Sequence, residues 1–234
     1  MEPKYKRILL KISGESLAGD KRHGFSSSAL AATAKQIATL NKAGVEIGVV
    51  VGGGNFWRGR EGDEMDRTSA DYMGMLATVI NALALSDALD RQGVDNRVMT
   101  TLAIDKIGEP YNVKTAKRYL SDGKVVVFGG GTGSPFFTTD TGASLKACEI
   151  QAEVLLLAKN IDGIYDSDPK TNPNAKKFDT LTYDEYVEKG LRALDTSAVV
   201  MCKENGLKIH AFGNLNENSI VNAVFADSDG TVVY

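Results

Sequence analysis

The chain has 234 residues, enough to bury a full hydrophobic core, and its 43% hydrophobic and 24% charged residues exclude a disordered or fibrous architecture. A net charge of -3 and a pI of about 5.5 supply no basic field for gripping nucleic acid as a main partner. Cys148 and Cys202 are too few for a disulfide framework and are expected buried and reduced; without a signal-peptide core or an apolar run of about 18 residues, the chain is expected to be cytoplasmic, with no membrane partner.

Short β-branched runs at 8–12, 45–51, 96–100, 124–128, 154–158, 207–212 and 231–233 alternate with longer helix-like segments. That alternation predicts an α/β fold, a mostly parallel sheet covered by helices on both faces, with residues 1–234 forming one domain. Between the first two runs, residues 26–43 carry Leu30, Ala34, Ile37 and Leu40 at helical spacing, with three serines as candidate N-caps and Gly44 as the stop. Residues 66–92 form the longest helical segment. Its stripe of Met73, Leu76, Ala77, Ile80, Leu83 and Ala84 widens through Met75, Val79 and Leu85, which suits either a contact with another subunit or an ordinary core helix. Residues 166–177, with two prolines, read as a surface loop rather than a domain boundary.

Three glycine-rich elements each leave the end of a predicted strand: Lys11-Ile12-Ser13-Gly14-Glu15-Ser16, Gly52-Gly53-Gly54-Asn55 and Gly129-Gly130-Gly131-Thr132-Gly133. In an open parallel sheet, loops at the carboxyl ends of strands surround the ligand crevice, and glycines there let backbone amides approach phosphate oxygens. Any one of them alone is better explained by a tight strand-to-helix turn; three at equivalent positions point to a phosphate ligand. Neither GxxxxGK[ST] nor a helix-opening GxGxxG occurs, which places the chain outside the P-loop and dinucleotide classes.

Phosphoryl transfer needs cations on the migrating group, in-line positioning and a divalent metal across the phosphates. Lys11 is either the cation on the β and γ oxygens or a solvated strand-end lysine. Arg58 is a second such cation or a surface ion pair. Asp140 is the N-cap of the next helix, or the partner of Lys11 or of the metal. His23, in a polar loop, and His210, in a predicted strand, read as structural. No Ser-His-acid constellation or Cys/His cluster suggests hydrolysis or zinc chemistry, and no protein metal site is expected.

Five strings carry a resemblance that runs from about Lys6 to the C-terminus: Leu10-Lys11-Ile12-Ser13-Gly14-Glu15, Val51-Gly52-Gly53-Gly54-Asn55-Phe56-Trp57-Arg58-Gly59, Asp71-Tyr72-Met73-Gly74-Met75-Leu76-Ala77-Thr78, Gly131-Thr132-Gly133-Ser134-Pro135-Phe136-Phe137-Thr138-Thr139-Asp140, and Asp162-Gly163-Ile164-Tyr165-Asp166-Ser167-Asp168-Pro169. In this order they resemble the bacterial UMP kinases of the amino acid kinase family. The resemblance implies a three-layer α/β/α sandwich around a mainly parallel sheet, and transfer of the γ-phosphoryl group of ATP, bound with Mg²⁺, to UMP in pyrimidine nucleotide biosynthesis. By it, Lys11, Ile12, Ser13, Gly14, Gly54 and Arg58 attend the ATP phosphates, while Tyr165 and Asp168, with Lys159 or Asn160, line the adenine and ribose pocket. Gly53, Asp71, Thr132, Gly133, Ser134, Pro135, Phe136, Phe137, Thr138 and Thr139 hold UMP. Asp140 orients Lys11 and the metal region, and Asp195 assists the lysines. The resemblance also implies a homohexamer with UTP inhibition and GTP activation. A sister kinase acting on carbamate, acetylglutamate or aspartate would share Lys11 and the glycine loops but lack the TGxPFFTT segment.

Overall fold

Side-chain alternation along the first strand decides the layers of the molecule in the computed structural model, which describes residues 2–21, 23–57, 65–213, 217–226 and 230–234. In β1 (Arg7–Ile12), Ile8, Leu10 and Ile12 point into one apolar core and Leu9 into the other, as the two-residue period of a strand requires. The strand is therefore buried on both faces, and its neighbours are too. β2 (Glu46–Val51), β3 (Asn96–Thr100), β4 (Glu109–Pro110), β5 (Val125–Gly129), β6 (Val154–Lys159), β7 (Ile164–Tyr165), β8 (Lys177–Phe178), β9 (Thr180–Leu181), β10 (Lys208–Gly213) and β11 (Thr231–Val233) follow in the chain. Nine of them form one sheet in the order β4-β3-β5-β2-β1-β6-β10-β11-β9, while β7 and β8 pair separately. Among the described residues, only β10 and β11 run antiparallel within the large sheet.

Parallel neighbours need crossovers, and the helices supply them on both faces. On one side lie α1 (Gly14–Ala18), α2 (Ser27–Lys42), α3 (Arg67–Arg91) and α8 (Ser219–Phe225); on the other lie α4 (Val113–Ser121), α5 (Thr139–Glu149), α6 (Tyr183–Glu188) and α7 (Thr196–Glu204). The result is the expected three-layer α/β/α sandwich around a mainly parallel sheet. Every strand predicted from β-branched runs is present within a residue or two of its expected bounds. The added strands β4, β7, β8 and β9 are two residues long, too short to leave a periodic signal.

Two local expectations change. Ser26 precedes α2 but makes no capping hydrogen bond, because its hydroxyl pairs with that of Ser28 at 2.7 Å. By length and composition α3 is apolar enough to cross a membrane, contrary to the reading that no such run exists. Half of that stretch is buried inside the fold, where α3 packs through Ala82, Leu85 and Leu89 against the sheet and α2. Its outward face carries Tyr72, Met73, Leu76, Ile80 and Leu83, each between 38% and 47% exposed. Both sequence readings of this helix thus have a physical basis: one face is core and the other is an apolar surface.

Candidate active site

Strand register brings the two lysines together. Lys11 lies on the same face of β1 as Leu9, and Lys159 on the same face of β6 as Leu155 and Leu157, and the two strands are adjacent and parallel. Both side chains therefore rise beneath α5, whose second residue is Asp140. The Lys11 Nζ stands 2.9 Å from Asp140 Oδ1, with side chains only 13% and 19% exposed. That oxygen is buried and accepts no directed hydrogen bond, so the charge on Lys11 is what compensates it. The alternative of Asp140 as helix cap falls to Thr138, whose Oγ1 accepts from the amides of Asp140 and Thr141 at 3.1 and 3.3 Å.

Lys159 donates a short hydrogen bond to the carbonyl of Ala193. Burial holds its ammonium below the ordinary lysine range; Asp140 opposes that depression and Lys11 adds to it. Lys159 thus belongs electrostatically with the Lys11–Asp140 pair. Asn160, the other residue considered for the adenine edge, accepts a long 3.5 Å hydrogen bond from Ser16.

A cavity of about 720 Å³ opens beside this group. Lys11, Ser13, Lys159, Asn160, Tyr165 and Asp168 line it, joined by the 189–193 segment with Lys189 and Arg192, which no motif or periodicity singles out. Tyr165 donates to Asp162 at 2.7 Å, and that bond, followed by the one from Lys177, keeps the Asp162 carboxyl below the usual range. A second cavity, about 230 Å³, is lined by Gly53, Gly54, Asp71, Thr132, Ser134, Phe137, Thr138 and Thr139. Ile12, Gly14, Gly133, Pro135 and Phe136 are not among the residues that line either cavity. Arg58 lies outside the described residues.

The walls of the smaller cavity are held by long-range hydrogen bonds. Phe136 donates its amide to Asp71 Oδ2 at 2.8 Å, and the same oxygen pairs with Arg67 at 2.8 Å. Arg67 also sits 5.4 Å over the Phe136 ring. Its signal in the sequence was the charge spacing of four residues from Asp71. Phe136 has a positive φ of 71°, which costs a bulky side chain energy, and its ring is 66% exposed. Asp195 caps α7 through Ala198 and accepts from Thr138 and Thr141; its carboxylate is directed at the start of α5 and not at a lysine. Gly14 is required by close approach, since a Cβ there would stand 2.2 Å from Asn55 Oδ1.

Residues 6–213 match the amino acid kinase family. Over 98% of its length the chain is similar to the UMP kinase of Bacillus anthracis, with 34% identity, a TM-score of 0.90 and 96% of that chain covered. The UMP kinase of Ureaplasma parvum is similar to the same extent, with 35% identity, a TM-score of 0.90, and 98% and 99% of the two chains covered. The uridylate kinase of Archaeoglobus fulgidus is 28% identical, with a TM-score of 0.76 and 97% and 99% covered.

Proposed function

The chain belongs to the amino acid kinase family, in its UMP kinase branch, and from that premise we propose that it transfers the γ-phosphoryl group of ATP to UMP, giving ADP and UDP. The observation that carries this reading is the juxtaposition of a buried Lys11–Asp140 pair with two unequal cavities, one large enough for a nucleoside triphosphate and one walled by Asp71 and the 131–139 loop.

The acceptor is a phosphate oxygen that is already ionised, so no general base is required, and catalysis reduces to positioning and charge compensation. The acceptor oxygen forms its bond to the γ-phosphorus as the bond to the β-bridging oxygen breaks and ADP leaves. Lys11 holds the migrating group with its ammonium, Lys159 adds a second positive charge, and Asp140 fixes Lys11 without neutralising the whole cluster. Ser13 and Gly14, at the start of α1, and Gly54, with Arg58 expected beside it, attend the phosphates. Asp71 accepts from a ribose hydroxyl, and Thr138 and Thr139 attend the α-phosphate end of UMP. Tyr165 and Asp168 hold the base and ribose of ATP, with Asn160 near the base edge.

Among the described residues no cluster of three metal-ligating side chains occurs; the Asp140 carboxylate stands beside Lys11, and Asp168 lines the larger cavity. Such a donor set suits Mg²⁺ arriving with ATP, where the ion would neutralise charge across the β and γ oxygens. We further read the exposed apolar face of α3 as a contact within a homo-oligomer, a hexamer by family resemblance, and the protein as cytoplasmic. UTP carries the same uridine as UMP and is the expected inhibitor, with GTP the expected activator.

A coupled ADP assay with Mg²⁺ and ATP, comparing UMP with CMP, AMP and acetylglutamate, tests the reading. UMP-selective ADP formation is expected. Equal or faster turnover with acetylglutamate would move the chain to a sister kinase.

A further inference from the structure

One face of α3 touches three walls of the site. Asp71, Thr78 and Asn81, spaced by seven and three residues, fall on the same side of the helix. Asp71 takes the amide of Phe136, and Thr78 Oγ1 takes the amide of Gly130 at 2.8 Å. Asn81, fully buried, donates from Nδ2 to the carbonyl of Gly52 at 2.7 Å and to Asn55 Oδ1 at 2.6 Å, and accepts from Asn55 Nδ2 at 3.0 Å. Each amide nitrogen also finds a main-chain carbonyl, Gly52 for Asn81 and Gly24 for Asn55, which fixes the orientation of both side chains.

We propose that Asn81 is a positioning residue for phosphoryl transfer, clamping the β2 glycine loop so that Gly53 and Gly54 present their backbone between donor and acceptor. The inference rests on the UMP kinase reading given above. Asn81 lines neither cavity and touches no position expected to hold substrate; its influence runs through Gly52 and Asn55. Gly53 and Gly54 follow Gly52 directly and line the smaller cavity. Asn55 Oδ1 also lies where only a glycine at position 14 leaves room, so one buried amide sets the mutual placement of the loops after β1 and β2. Burying an asparagine mid-helix is costly unless its polar atoms are paired, and here both atoms are paired to Gly52 and Asn55 of the loop after β2.

A second buried asparagine provides the control. Asn96, at the amino end of β3 and so at the opposite edge of the sheet, bonds Ser86, Asp90 and Val94. The experiment measures kcat and both KM values for wild type, Asn81→Ala and Asn96→Ala, well below the lowest unfolding midpoint. Both variants are expected to lose stability. Asn81→Ala alone is expected to lose about 10- to 100-fold in kcat, the scale of an ångström of misplacement, with the KM for UMP within about threefold of wild type. Should Asn81→Ala fail to fold, Asn55→Ser removes the partner amide from a loop and carries the same expectation. Wild-type kcat in folded Asn81→Ala or Asn55→Ser, or an equal loss in Asn96→Ala, overturns the inference. Absence of UMP-dependent ADP formation in the wild type itself overturns the functional reading instead.

Discussion

The two cavities are built by opposite means. Around the larger one, the 166–177 loop satisfies its polar groups within itself: Asp166 accepts from Ser167 and from the amide of Lys176, Asp168 accepts from the amide of Lys170, and Asn172 donates to Ser167. Around the smaller one, the polar groups reach far along the chain, from Phe136 to Asp71, from Gly130 to Thr78 and from Thr138 to Asp195. A wall closed by local bonds keeps its shape whatever the rest of the fold does; a wall closed by distant bonds is only as ordered as the helices that hold it. Selectivity should therefore reside in the smaller cavity, whose geometry is over-determined, and the larger one should set affinity with little discrimination.

Lys11 lines the larger cavity and pairs with Asp140, and its loss should give the largest effect. Lys11→Ala is expected to lower turnover about 10²- to 10³-fold while leaving UMP affinity largely intact, as removal of a strong electrostatic contact to the transition state does. An unchanged rate would take Lys11 out of the mechanism. Asp71→Ala comes next and separates the cavities. Removing a charged acceptor should raise the KM for UMP about 10- to 100-fold, matching the worth of charged hydrogen bonds, with the KM for ATP nearly constant. A parallel rise in both constants would mean the cavities are not independent. In the larger cavity, Tyr165→Phe deletes the bond to Asp162 but not the ring, and should raise the KM for ATP only about threefold, with the preference for UMP over CMP unaltered. A change in that preference contradicts the assignment of selectivity to the other cavity.

The same contrast explains what the sequence made legible. The smaller cavity is written, Arg67 apart, in three continuous strings, residues 51–59, 71–78 and 131–140, because a helix start and the turns that leave two strands each place neighbouring residues on one wall. Half of the larger cavity is missing from any string: Lys189, Arg192 and Ala193 lie between α6 and α7 in a stretch without periodicity, and reach the site only because α7 returns the chain to β10 beside β6. The position of Lys159 was similarly hidden. Its proximity to Lys11 follows from β1 and β6 being neighbours, although β2, β3, β4 and β5 separate them in the chain, and no residue pattern announces that jump across the sheet. In the sequence Asn81 is one polar interruption of an apolar helix, and only the fold reveals that it faces Gly52.

Phe136 offers the finest test of the difference, because its expected effect on stability is close to zero while its effect on the site is not. Holding a non-glycine residue in the left-handed region costs about 1–2 kcal/mol, which Phe136→Gly would recover. Against that, glycine gives up about 0.5–1 kcal/mol of backbone entropy on folding, and the exposed contact with Arg67 is worth about 0.5–1 kcal/mol. The balance lies within about 1 kcal/mol of zero, a shift in Tm of no more than about 2–4 °C. The KM for UMP should nevertheless rise severalfold, since a freed backbone no longer keeps the Phe136 amide on Asp71. A drop in stability beyond about 2 kcal/mol with unchanged UMP binding would make Phe136 a packing residue. Near-neutral stability with weakened, less selective UMP binding would show that the strain at this position is kept for the acceptor, which is what a wall closed by distant bonds requires.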